Sequence, residues 1–294
     1  MDREFCKHAK LQSAMEYLMT YGWAILIIAV VLGALFQLGI FNASTFTPKA
    51  PPGACHVFRP NGPSTTSFIN LQGICNGELP QYVASFQSPA YVLMSASSAL
   101  QPTSAITVSM WLNFPGFYGE TDTIRMGPGA FNYRLAMNSA APYRNIFWQI
   151  YVNGIEQSIS SQNFAPNTWY LVTATYGSGF VTLYVNGVSS SSVAATGSIT
   201  ETSGYQLELN AYDASAQTKL QMANVQLYNS SLSSNEIIAL YNEGIGGAPV
   251  KLSNLVGWWP LNGDAKDYSG NNNNGVPTTG VSFTSSWESG YSAP

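Results

Sequence analysis

Four groups of residues in this chain have the types and spacing to do chemistry. Glu120-Thr-Asp122-Thr-Ile-Arg125 holds two carboxylates close together, and retaining hydrolysis of a glycosidic bond uses a pair of carboxyl groups about 5 Å apart. Arg125 closes that motif, and a guanidinium cannot serve as a general acid. Asp264, Asp267, Asn271 and Asn273 place oxygen ligands along one short stretch, the donor type that a hard Ca²⁺ ion takes. The stretch lacks the Gly and bidentate Glu of an EF-hand, and Asp and Asn in a turn-rich loop also satisfy backbone donors. Cys55 and His56 are formally a nucleophile and its base, but neighbours in sequence rarely face each other. Phe117, Tyr118, Tyr143, Trp148 and Tyr212 are aromatic candidates for stacking on the apolar faces of sugar rings.

The composition narrows what those groups can serve. Only 9% of the 294 residues are charged, and Asp2, Arg3, Glu4, Lys7, Lys10 and Glu16 all fall in the first sixteen positions. The remainder is rich in Ser, Thr, Asn, Gly and Tyr. Such a surface cannot neutralise a run of phosphates, so nucleic acid is excluded as a partner. The stretch from Gln12 to Phe41 carries one charge, Glu16, and is otherwise dominated by apolar residues. A membrane span needs about 20 apolar residues, so the stretch reads as a hydrophobic helix over 12–41. No Ala-x-Ala cleavage site follows it at Gly39-Ile40-Phe41-Asn42, so the helix stays in the mature protein. Residues 1–11 form a basic leader, and positive charge beside a span holds that end in the cytoplasm.

Glu16 costs free energy at the edge of an apolar run unless it is interfacial or paired. Ser13-Ala14-Met15-Glu16-Tyr17-Leu18-Met19 after a basic leader resembles the class III signal of type IV pilins, especially archaeal-type pilins. That resemblance implies a prepilin peptidase that cuts between Leu11 and Gln12, and a Glu16 that pairs with the new amino terminus of an identical or related subunit. Leu11 departs from the family, which usually has Gly or Ala before the cut. A plain signal anchor with an interfacial Glu is the alternative. The resemblance also implies a chain at the cell surface, anchored in the membrane or built into an extracellular pilus, with its N-terminus cytoplasmic before assembly.

Residues 42–54, rich in Pro and small polar types, read as a linker. Asn42-Ala-Ser44 and Asn229-Ser-Ser231 match the N-glycosylation pattern. If cutting removes Cys6, only Cys55 and Cys75 remain, which reads as one disulfide closing a segment within 55–81 and stabilising by roughly 3 kcal/mol in the chain-entropy model. A metal site there fails for lack of partners, since His56 is the only mature histidine and no Cys-x-x-Cys occurs.

From Tyr82 to Pro294 the pattern has period two, with strands expected over 106–112, 146–152, 169–175, 181–185 and 220–228. Asn153-Gly154 and Asn186-Gly187 are hairpin signals, because Asn-Gly tolerates the positive φ of a tight turn. Ser233-Ser-Asn-Glu236 forms a capping box for one helix, ended by Gly244, expected to plug an edge of a sandwich.

Thr107-Val-Ser-Met-Trp111, Asn167-Thr-Trp-Tyr-Leu-Val-Thr-Ala-Thr-Tyr176, Val181-Thr-Leu-Tyr-Val-Asn-Gly187 and the run Ala223 to Gly244 resemble the laminin-G/concanavalin A-like lectin family, in that family's order. The family's opening motif is missing before Tyr82 and stands at the far end, from Leu255-Val-Gly-Trp-Trp-Pro-Leu261 to Gly275, as a circular permutation would leave it. The strand over 255–261 is therefore expected to complete the sheet begun at Tyr82. A truncated second domain, or strand addition to the next subunit of a filament, are the alternatives.

The resemblance implies a mainly β fold, an N-terminal hydrophobic α-helix followed by a concanavalin A-like jelly-roll β-sandwich, and a structural Ca²⁺ near Asp264. Glu120 to Arg125 is also similar to the Glu-x-Asp-x-x-Glu strand of laminarinase-type glycoside hydrolases, with Arg125 in place of the second Glu. The expected function is thus a surface pilin-like adhesin or filament subunit whose lectin-like domain binds glycans or cell surfaces, and not an enzyme. The alternative is a membrane-anchored glycoside hydrolase.

Overall fold

The computed structural model describes residues 21–33, 55–58, 70–73, 79–87, 89–116, 120–127, 131–138, 145–161, 164–201, 204–211, 219–292 and 294. The chain divides into two compact units, Met1–Pro48 and Lys49–Pro294. In the first, helix α1 covers residues 21–33 of the expected 12–41 helix, with every residue exposed. Among the described residues no helix is long and apolar enough to cross a membrane. Leu11, Gln12, Glu16 and Asn42 lie outside the described residues.

The second unit opens with a small antiparallel pair, β1 (Cys55–Phe58) and β2 (Asn70–Gly73), in which Cys55 stands opposite Gly73. Cys75 and the Cys55 side chain, where the disulfide is expected, lie outside the described residues. The strands that follow are β3 (Val83–Gln87), β4 (Val92–Met94), β5 (Ile106–Gly116), β6 (Glu120–Met126), β7 (Tyr133–Asn138), β8 (Asn145–Val152) and β9 (Ile155–Ser161). Next come β10 (Trp169–Gly177), β11 (Phe180–Val185), β12 (Val188–Ala194), β13 (Leu207–Ala211) and β14 (Lys219–Tyr228). Helix α2 (Ser234–Glu243) then precedes β15 (Leu255–Trp259), β16 (Gly275–Pro277) and β17 (Val281–Thr284).

They form two antiparallel sheets. The larger runs β12-β11-β10-β5-β14-β3-β17, with β15 also paired to β14. The smaller runs β16-β4-β13-β6-β7-β8-β9. Alternation builds the core between them: on β8, Ile146, Trp148, Ile150 and Val152 are buried while the residues between are half-exposed. Both hairpin signals act as expected, with Asn153 and Gly154 at φ 50° and 75° and Asn186 and Gly187 at φ 49° and 79°, the left-handed pair that joins twisted strands in a two-residue turn.

Strand β14 decides where the end of the chain goes. One of its edges pairs with β5, and the other is shared: Lys219 to Met222 pair with β3, and Val225 to Tyr228 with β15. The strand expected over 255–261 thus takes its place in the chain's own sheet. At the junction Asn224 adopts φ 51° and its buried amide pins the neighbouring segments. Its Nδ2 donates to Gly247 O at 2.8 Å, and its Oδ1 accepts from Trp258 Nε1 at 2.8 Å and Gln226 Nε2 at 3.0 Å.

Helix α2 carries the predicted capping box, with Glu236 N–H donating to Ser233 Oγ and Ser233 N–H to Glu236 Oε2. Its location corrects the expectation of an edge plug. Ile237 and Leu240 enter a second apolar cluster with Trp111, Trp169, Leu171, Tyr228 and Trp258 on the outer face of the larger sheet. Tyr241 stacks on Trp111 at 5.9 Å. A face of aromatic side chains must be covered, and one helix and the C-terminal segment cover it.

Trp287 closes that cover: it is 1% exposed, packs edge-on against Trp169, and donates from Nε1 to Pro80 O at 3.1 Å. Replacing it removes a large buried side chain with little chance of collapse. Trp287→Ala is expected to cost about 3–5 kcal/mol, as buried aromatic deletions do, read as a lower urea midpoint at an unchanged slope. A loss below about 1 kcal/mol would show that the C-terminal segment is not part of the cooperative core.

Candidate functional site

The outer face of the smaller sheet gathers charge. Its centre is made by a β-bulge in β6, where the register shifts between Asp122 and Ile124. Strict alternation would send Asp122 and Ile124 to one face and Arg125 to the other. The extra residue turns Ile124 inward opposite Leu135 and brings Arg125 out opposite Arg134. Glu120, Asp122 and Arg125 consequently share the outer face. Two guanidiniums directly across a ladder repel, and Asp122 resolves the conflict. Its Oδ2 takes Arg125 Nη1 at 3.1 Å and its Oδ1 takes Arg134 Nη1 at 3.0 Å.

Arg134 is the hub. Its Nη1 also reaches Glu120 Oε1 at 3.1 Å, and its Nε donates to Gln149 Oε1. The guanidinium lies 4.7 Å from the Phe131 ring and 5.2 Å from the Phe147 ring, both cation–π distances. The hydrogen-bonded chain continues outward, since Gln149 Nε2 donates to Glu156 Oε1 and Tyr151 OH donates to Glu156 Oε2 at 3.2 Å. Arg125 Nε is held by Gly127 O, and Glu208 on β13 stands opposite Arg125. Burial pushes the Asp122 carboxyl above its ordinary value, against the pull of the two arginines. Glu208 is raised by burial too, with Arg125 opposing and Asp122 reinforcing.

Of the residues expected to touch sugar, Phe117, Tyr118, Tyr143 and Tyr212 lie outside the described residues. Trp148 is a correction. It is fully buried between the sheets because it falls in phase with Ile146 and Ile150, and it meets Tyr133 rather than solvent. The residues missed by sequence reasoning are Arg134, Gln149, Glu156 and Glu208, with the rings of Phe131, Phe147 and Tyr151. A signal existed on β8, where Phe147, Gln149 and Tyr151 occupy the alternate positions to the buried ones.

The loop with the expected calcium ligands is organised around its own backbone. Asp267 Oδ1 accepts from Trp258 N and Ser269 N, and its Oδ2 from Asn273 N at 2.8 Å. Asn271 and Asn273 donate their Nδ2 groups to Val256 O, and Asp264 accepts from Lys266 N and Tyr268 OH. Asp267, Asn271 and Asn273 pin the loop to β15 and Asp264 bonds within the loop, instead of converging on a cation, so the arrangement does not fit the expected Ca²⁺. Among the described residues no group of three or more His, Cys, Asp or Glu is placed to hold a metal ion. Asn229 of the second glycosylation pattern is exposed.

The profile of the concanavalin A-like lectin/glucanases superfamily matches residues 86–238, a little over half of the chain. The chain belongs to that superfamily. The match runs from β3 into α2, and β15, β16 and β17 lie beyond it while filling places in both sheets. No curated protein matches. Among solved structures, the lectin-like sandwich is similar to a candidate carbohydrate binding protein from Bacteroides ovatus at 16% identity and a TM-score of 0.53, covering 74% of this chain and 64% of that one. It is also similar to the receptor binding domain of a botulinum neurotoxin mosaic serotype C/D, at 17% identity and a TM-score of 0.47, over 67% of this chain and 46% of that one. A heptameric SAP-like pentraxin from Limulus polyphemus shares 13% identity at a TM-score of 0.48, over 69% of this chain and 94% of that one. The chain therefore spans less than two thirds of the first two, and likeness at these identities is one of fold.

The buried Asp122 makes a pH-dependent contribution with a definite sign. A raised carboxyl binds its proton more readily in the folded state, so the contribution is fully present below the unfolded value of 3.8 and is lost as pH rises through the raised value. The unfolding free energy of the wild type minus that of Asp122→Asn is expected to fall with pH above that point, by at most about 1.4 kcal/mol per pH unit. Urea titrations of both proteins across the acid range measure it. A difference that rises with pH would mean that the two arginines outweigh burial.

Proposed function

We propose that the sandwich is a carbohydrate-binding head and that its ligand lies on the outer face of the smaller sheet, over Arg134. The observation that carries this reading is the concentration of a charged network on that face in a chain with so few charges. Arg134 fixes Glu120, Asp122 and Gln149 at once, and Gln149 and Tyr151 fix Glu156. Pre-oriented polar groups beside aromatic rings are what an open sugar-binding face requires, because a ligand then pays little to order them. Superfamily membership and the Bacteroides ovatus relative support the same class.

Binding is favoured over hydrolysis by the state of the carboxylates. Glycoside cleavage needs one carboxyl group free to protonate the leaving oxygen and another free to attack or to activate water. Here the third motif position is Arg125, and it is spent on Asp122.

The basic leader, Glu16 and the apolar run after it support a pilin-type N-terminal segment that holds the head at the cell surface, anchored or in a filament, after trimming by a prepilin peptidase. The helix would provide location and assembly, and the sandwich recognition.

The full chain in detergent micelles, applied to an immobilised glycan panel and followed by calorimetry, tests the head. Arg134→Ala is expected to weaken glycan binding at least tenfold while the circular dichroism spectrum is kept. Undiminished binding would move the site elsewhere, and β-glucan turnover abolished by Glu120→Gln would make the protein a hydrolase. Electron microscopy of cells labelled with antibody to the sandwich tests the location: label along filaments is expected for a pilin subunit, label confined to the envelope points to a plain anchor, and absence of surface label removes both.

A further inference from the structure

Resting on the binding reading above, we infer that the Arg134 face selects uncharged glycans with adjacent hydroxyl groups and turns away their sialylated, sulfated or uronic counterparts. Among the described residues the face carries four carboxylates, on Glu120, Asp122, Glu156 and Glu208, against two guanidiniums, on Arg125 and Arg134. Each guanidinium is already paired with a carboxylate of the face. Arg134 gives Nε to Gln149 and Nη1 to Asp122 and Glu120, and Arg125 gives Nε to Gly127 O and Nη1 to Asp122.

An anionic sugar drawn to either guanidinium would lie beside carboxylates that already neutralise it, Glu120 and the almost wholly buried Asp122. The charged groups most exposed to solvent are acceptors. Glu120 has 45% of its side chain exposed and Glu156 is exposed. A fixed carboxylate can accept two hydrogen bonds, one per oxygen, from neighbouring hydroxyls of a pyranose, and charge-assisted bonds of this kind are among the stronger ones. Neutral sugars bring donors of that type and no charge. The remaining excess of two negative charges repels an anion through a medium that salt screens over about 10 Å at 0.1 M.

The test uses the full chain in detergent and glycan pairs identical except for a terminal sialic acid, a sulfate group or a uronic carboxyl. The neutral member of each bound pair is expected to bind at least tenfold more tightly at low ionic strength, with the ratio falling toward unity in about 0.5 M NaCl as screening shortens. Glu208→Gln, which removes one negative charge beside Arg125, is expected to narrow the ratio. The wild-type salt series decides the matter even if that variant fails to fold. Equal or tighter capture of the charged members overturns the charge selection and leaves the binding reading standing. A chain that binds no member of any pair overturns both.

Discussion

The architecture of the sandwich depends on one strand having no free edge. β14 gives one edge to β5, and its other edge is too long for β3 alone, so β15 must return to satisfy the half that β3 leaves. Buried backbone donors and acceptors left open would cost more than the connection needed to pair them. That requirement carries the chain from α2 back into the sheet and brings β16 and β17 after it, one to each sheet. Asn224 sits where the two half-edges meet and ties β14 to Trp258 and to the segment after the helix. The two ends of the domain are fastened together in consequence, through Tyr82 N–H to Asn262 Oδ1 and Trp287 to Pro80.

The two sheets use their outer faces differently. The larger one buries its outer face under α2 and the C-terminal segment, in a second cluster rich in Trp and Tyr. The smaller one carries its charges on its outer face, with Glu120 and Glu156 exposed and Asp122 buried. Those charges are organised by the bulge in β6, without which Arg125 would point at the core and Asp122 would lose a partner. The rings of Phe131 and Phe147 hold the Arg134 guanidinium from its faces while carboxylates hold it from its edge, so its position is fixed in both directions.

Much of the framework was legible because its causes are local. Ile106 to Leu112, Trp169 to Thr175 and Leu220 to Tyr228 alternate or run apolar over enough residues to be strands in almost any context, and each is a strand. Asn153-Gly154 and Asn186-Gly187 turn where Asn and Gly accept positive φ. The Ser233 to Glu236 box starts the helix because its hydrogen bonds close within four residues. β4, β13 and β16 escaped because short strands carry too few alternations to stand out, and the edge location of α2 failed because a capping box says where a helix begins and nothing about what it lies on.

The residues that could do chemistry divide along the same line. The sequence alone determined that Glu120, Asp122 and Arg125 lie close together, that Arg125 stands where the hydrolase pattern has its second Glu, and that an apolar segment precedes a β-rich body. Only the tertiary structure decided that Arg125 faces outward, that Arg134 and Glu208 stand beside it, that Trp148 is core, and that Asp267, Asn271 and Asn273 brace a loop. The reason is physical. Local bonding is written in neighbouring residues, whereas the partners of Arg125 across the sheet come from β7 and β13, and one inserted residue in β6 exchanges the two faces for every side chain that follows it.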